Sequence, residues 1–134
     1  MSTNMEISFP GGKRVYSNYN GFIVKTDQSK KEGGESSAPT PSDLFFASIG
    51  TCAGIYALRF CEKRKIDTEK LNIALEFQAN KKTNMIEKIT FKIDLPPDFP
   101  EKYTSALIKS MGLCYVKKHL EQPPQFDFAI NAAA

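Results

Sequence analysis

Residues 40–66, TPSDLFFASIGTCAGIYALRFCEKRKI, leave this chain few ways to fold. Read at 3.6 residues per turn, Leu44, Phe45, Ala47, Ile49, Cys52, Ile55, Tyr56, Leu58 and Phe60 leave no face charged before Arg59. A helix apolar on every side must be covered on every side. Its start is marked by Thr40 as N-cap, Pro41 at the first helical position and Asp43 three residues after the cap, a capping-box pattern. Arg59, Lys63, Arg64 and Lys65 load the last turns with positive charge, opposite the negative end of the helix dipole. The pattern predicts a helix of about 23 to 25 residues, roughly 35 Å long, which spans a small domain and protrudes from it. One chain of 134 residues can hardly cover such a helix, so a second copy is the expected cover.

The remaining composition bounds the answer. A length of 134 residues predicts a single domain over 1–134, and 41% apolar with 25% charged residues is ordinary for a soluble protein. The net charge of +3 comes from lysines scattered along the chain, so no nucleic-acid partner is expected. The N-terminus lacks a basic region followed by an apolar core, and no later run of about 18 apolar residues is read, which predicts a cytoplasmic protein without membrane contact. Three cysteines without a close pair do not make a secreted disulfide framework.

In chain order, residues 6–16 read as a hairpin turned at Pro10, Gly11 and Gly12, residues 18–20 as a turn, and residues 22–26 as a half-buried strand ending at Asp27. Residues 28–40 are polar and read as a mobile loop feeding the long helix. Residues 71–79 and 86–93 alternate around a turn at 80–84, a second antiparallel hairpin. Residues 95–100 break the sheet, 101–111 form a helix stopped by Gly112, Cys114 opens a short helix, and 126–130 form a closing strand. These elements make an α+β domain.

PTPSDLFFASIGTCA at 39–53, then a long helix, a hairpin and a late cysteine opening a helix at LCYV (113–116), resembles the OsmC-like family, which includes the organic hydroperoxide resistance proteins. The resemblance implies antiparallel sheets wrapped around a long buried central helix, an intertwined homodimer with two interface sites, and a cysteine thiol peroxidase that reduces hydroperoxides. In that picture Cys52 matches the peroxidatic cysteine and Cys114 the resolving one. No bound cofactor or metal is implied; the partners are a second copy, the hydroperoxide and an external dithiol reductant, a lipoyl protein or a thioredoxin-like one. Three positions differ from the best-characterised peroxidase members: Ser42 stands where they carry an acid, with Asp43 one residue later; Tyr115 stands where they carry proline; and the first hairpin offers only Arg14 as its arginine.

The chemistry sets its own demand. Peroxide reduction needs a thiolate, and a free cysteine is only a few per cent ionised at pH 7. Cys114 has a local reason to ionise, since a helix N-terminus offers backbone N–H groups; Cys52, about three turns into a buried helix, has only desolvation, which raises a thiol pKa. A cation must therefore come to Cys52 from elsewhere, and Arg14 is the candidate as the only arginine outside the central helix. Asp43 lies roughly 13.5 Å along the helix from the Cys52 of its own chain, so it either caps the helix or reaches the partner's thiol across a dimer axis. Both cysteines also admit a plain reading as small buried hydrophobes. Cys61, on the opposite side of the helix from Cys52, reads as a core cysteine, and His119 as a surface histidine. No Cys-x-x-Cys spacing supports zinc. Two functions follow: a hydroperoxide reductase, or a non-catalytic protein binding a small hydrophobic ligand on the same scaffold.

Overall fold

The first strands owe their register to two glycine-bearing turns in the computed structural model, which describes residues 4–131. Strands β1 (Glu6–Gly11), β2 (Arg14–Tyr19) and β3 (Phe22–Thr26) form an antiparallel sheet in that order. Asn20 (φ 49°) and Gly21 (φ 78°) both take the left-handed conformation that a two-residue hairpin turn requires. The turn thus falls one residue later than expected, and β2 runs on to Tyr19 instead of ending at Tyr16. β3 is also more open than its alternation suggested. Phe22 is 72% exposed and Ile23 58%, and only Thr26 at its end is buried.

Residues 28–40 are not a loose loop. Asp27, 1% exposed, gathers them: its carboxylate accepts hydrogen bonds from the amides of Gln28 (2.7 Å), Glu35 (3.3 Å) and Ser37 (3.0 Å) and from the Ser37 hydroxyl. The Asp27 amide donates to the Pro39 carbonyl at 3.2 Å, closing the segment at its far end. A Cβ at Gly34 would lie 2.1 Å from the Gln28 carbonyl oxygen, so only glycine lets the backbone come this close. The polar composition that read as mobility instead supplies donors to one buried carboxylate. Those donors hold the Asp27 pKa down to about 2, the Ser37 hydroxyl contributing most.

Helix α1 (Pro41–Lys63) follows with the expected reciprocal cap. The Asp43 amide donates to Thr40 Oγ1 at 3.1 Å and the Thr40 amide to the Asp43 carboxylate at 3.0 Å. The chain divides into two compact units, Met1–Ser48 and Ile49–Ala134, and α1 runs through the division.

In the second unit, strands β4 (Asn72–Ala79) and β5 (Ile86–Asp94) pair antiparallel from Asn72↔Asp94 onward, as the alternation predicted. Helices α2 (Thr104–Met111) and α3 (Tyr115–Glu121) come after. Ala53, Ala57, Phe60 and Cys61 of α1 meet Leu107 and Met111 of α2, with Ile73, Phe91 and Ile93 of the sheet packed against them. Small residues at 53 and 57, one turn apart, thin the helix where it meets its neighbours. Cys61 is fully buried in this core, as its position on the helix suggested. Contrary to the expectation that the chain holds no membrane-length apolar run, α1 has the length and composition of a membrane span. Its stripe of core contacts marks it as the central helix of a packed unit.

One expected strand is absent. Residues 126–130 form no ladder, and Phe126, Phe128 and Ile130 stand 85 to 95% exposed. Their alternation is that of a strand, but none of the described strands pairs with them, so the pattern finds no partner within one chain.

Candidate active site

Gly112 ends α2, where its amide bonds back to the Ile108 carbonyl at 3.1 Å, and two residues later Cys114 becomes the N-cap of α3. Its Sγ accepts from the Lys117 amide at 3.4 Å, taking the place of a capping hydroxyl. Cys114 is 1% exposed; Cys52, on α1, is half-buried. These two thiols, 62 positions apart in sequence, are hydrogen-bonded to each other, and all three cysteines of the chain are free.

The electrostatics run opposite to the sequence expectation. Burial alone pushes the Cys52 thiol up, but the hydrogen bond from Cys114, the amides of Val116 and Tyr115 and the charge of Arg59 outweigh it and leave Cys52 below the ordinary thiol value. Cys114 goes the other way. Burial raises it, and so does its contact with Cys52, against weaker help from the amides of Lys117 and Val116. The start of α3 therefore serves the neighbouring thiol more than the cysteine that begins it. Of the two thiols, Cys52 is the one shifted towards ionisation and Cys114 the one shifted away from it.

An apolar cavity of about 290 Å³ opens beside the pair, lined by Ile49, Ala53, Phe91, Ile108, Met111 and Cys114 among others. A small apolar molecule fits such a space.

The other expected site residues have defined places. Arg14 donates its Nε to the Gly11 carbonyl at 3.1 Å, bracing the first hairpin turn. Asp43 is engaged in the α1 cap. His119, exposed on α3, has Nδ1 2.8 Å from the Tyr115 carbonyl oxygen and its ring edge-on to Tyr115. What the sequence reasoning missed is Arg59 and the amides of Tyr115 and Val116. Arg59 was legible, since seven residues after Cys52 is two turns on along the same face. The amides were not, because backbone donors carry no sequence signature.

The profile of the OsmC-like protein family matches residues 33–129, which include both thiols and all of α1. The chain belongs to the OsmC-like family. Solved structures agree on the fold. A protein from Psychrobacter arcticus described as an osmotic stress induced and detoxification response protein matches with a TM-score of 0.73 at 17% identity, over 88% of this chain and 87% of that one. A hypothetical protein from Aquifex aeolicus matches with a TM-score of 0.67 at 19% identity, over 92% and 89%. An organic hydroperoxide resistance protein OsmC from Legionella pneumophila matches with a TM-score of 0.54 at 16% identity, over 90% and 89%. Among curated proteins the sequence has no significant match.

Proposed function

We propose that this OsmC-like protein is a two-cysteine thiol peroxidase that reduces organic hydroperoxides or hydrogen peroxide in the cytoplasm. The observation that carries the reading is the pair of contacting thiols with opposed ionisation, the more accessible one favoured as thiolate. The Cys52 thiolate attacks one peroxide oxygen and the O–O bond breaks. The other oxygen takes up a proton from solvent and leaves as the alcohol, or as water when the substrate is hydrogen peroxide, and Cys52 becomes a sulfenic acid. The Cys114 sulfur then attacks the Cys52 sulfur, water departs, and a disulfide forms.

One of the influences that raise Cys114, the charge of Cys52, exists only while Cys52 is a thiolate. Oxidation of the first thiol thus removes a restraint on the second. An external dithiol, on a lipoyl or thioredoxin-like protein, restores the pair by two exchange steps and ends as its own disulfide.

A homodimer belongs to the same proposal. Phe45, Ile55 and Leu58 on α1, Phe22 and Ile23 on β3, and the alternating residues of 126–130 are all exposed in one chain. So many uncovered large apolar side chains mark an interaction surface. Within the dimer, Arg14 or Asp43 of one chain could complete the site of the other, as the distance from Asp43 to Cys52 along α1 suggested.

A second reading, a binder of small hydrophobic ligands, is favoured by the apolar cavity beside the thiols. Consumption of cumene hydroperoxide by the reduced protein separates the two. Loss of turnover in Cys52→Ser supports the peroxidase; equal consumption by Cys52→Ser and wild type, or by neither, leaves the binding protein.

A further inference from the structure

A second concavity lies between the second half of α1 and α2. About 530 Å³ in volume, it is lined by Tyr56, Arg59, Phe60, Lys63, Arg64, Lys109 and Leu113 among others. Cys52, Tyr56, Arg59 and Lys63 follow the spacing i, i+4, i+7, i+11, one stripe of the helix, so the groove continues the face that carries the reactive thiol.

Four cations line this groove and no carboxylate does. Among the described residues the side-chain ion pairs are Lys92–Glu76 and Lys117–Glu121, and neither involves a groove cation. Arg64 is held in place by aromatic and backbone groups: its guanidinium lies 3.5 Å from the Phe60 ring centre and 5.1 Å from that of Tyr103, and donates to the Phe60 carbonyl at 3.1 Å. Arg59 lies 5.8 Å from the Tyr56 ring centre. The α1 dipole accounts for positive charge at Lys63 and Arg64. It does not account for the aromatic floor, nor for Lys109 reaching the same space from another helix. An apolar floor under unpaired cations is complementary to one chemistry, an apolar chain ending in an anion.

We propose that this groove binds an amphiphilic carboxylate, with its headgroup on Arg59, Lys63 and Lys109 and its chain along Tyr56, Phe60 and Leu113, and that the bound anion slows the reaction of Cys52. The second half follows from the charge of Arg59. The groups acting on Cys52 are Cys114, the amides of Val116 and Tyr115 on α3, and Arg59 on its own helix. Lys117 and Glu121 of α3 pair with each other. A carboxylate on Arg59 cancels the one cationic influence on that list, so the thiolate is less favoured while the ligand is bound. By reciprocity the ligand binds less well when Cys52 is ionised. This regulation deepens the proposed thiol chemistry and rests on Cys52 being the reactive group, though not on which peroxide it meets.

The test uses the full-length reduced protein with decanoate below its aggregation concentration, and with acetate and decanol as probes lacking the chain or the charge. Calorimetry reads binding, and peptide-resolved iodoacetamide alkylation reads Cys52 without any peroxide. Failure of the peroxidase reading therefore leaves this result standing. Decanoate should bind and slow Cys52 alkylation, whereas acetate and decanol at equal concentration should do neither. Lys109→Met, an exposed position outside the thiol site that loses its charge without adding a carboxylate, should weaken decanoate at least tenfold, about 1.4 kcal/mol, and leave alkylation without ligand unchanged. No binding of decanoate, equal binding of decanol, or unchanged affinity in a Lys109→Met protein that melts like wild type overturns the site. Binding with an unchanged alkylation rate overturns the regulation.

Discussion

Replacing Asp43 by alanine separates the two roles open to this carboxylate. In the structure it accepts the Thr40 amide at 3.0 Å, while its own amide donates to Thr40 Oγ1 at 3.1 Å, so the side chain closes one half of a reciprocal cap. Removing a cap interaction costs about 1 kcal/mol, and losing a negative charge from the first turn of a helix costs about 0.3 to 1 kcal/mol more. The sum is about 1.5 kcal/mol. For a chain of this size each kcal/mol moves the melting midpoint by about 3 to 5 °C, so Asp43→Ala should melt about 4 to 8 °C below wild type. Asp43→Asn keeps an acceptor for the Thr40 amide and loses only the charge, so it should fall between the two. Thermal melts followed by circular dichroism give the midpoints, and iodoacetamide alkylation of Cys52 across pH gives the second readout. A cap predicts a lower midpoint with an unchanged alkylation profile. An unchanged midpoint with a shifted profile would refute the cap and make Asp43 part of the thiol site.

Three further outcomes test other parts of the account. Asp27 has a folded pKa of about 2 against an ordinary 3.8, so its contribution to stability is complete above about pH 4 and disappears as pH falls towards 2; urea unfolding from pH 5 to 2 should show that decline, and Asp27→Asn should flatten it. Gly34→Ala must displace backbone, since its Cβ would sit 2.1 Å from the Gln28 carbonyl oxygen, and limited proteolysis should then cut within 28–40 where wild type resists; equal resistance would contradict the packing described. Leu107, 1% exposed in the core, should cost about 3 to 5 kcal/mol when cut to alanine, and a loss below about 1 kcal/mol in urea unfolding would mean that the α1–α2 contact is not a core.

The sequence carried most of the fold. Thr40, Pro41 and Asp43 announced the start of α1, and the alternation on either side of 80–84 announced the second hairpin, because caps and period-two patterns are local. The parts that escaped depend on distant partners. Polarity over 28–40 looked like mobility because nothing local says that Asp27 will be buried beneath it. Residues 126–130 looked like a strand because alternation reports an exposed and a covered face without reporting which chain supplies the cover. At the site, the resemblance singled out both thiols, and the structure brings them together. Their polarity was not legible, because it is set by amides of Tyr115 and Val116 that only the tertiary fold brings to Cys52.

The central claim is that Cys52 and Cys114 act as a polarised pair. Its most direct test is peptide-resolved alkylation of the reduced protein across pH, followed by mass analysis after one equivalent of cumene hydroperoxide. The account predicts Cys52 reacting with a midpoint below that of a free thiol, Cys114 above it, and a Cys52–Cys114 disulfide after peroxide. Indistinguishable midpoints, or peroxide that leaves both thiols free, would contradict it.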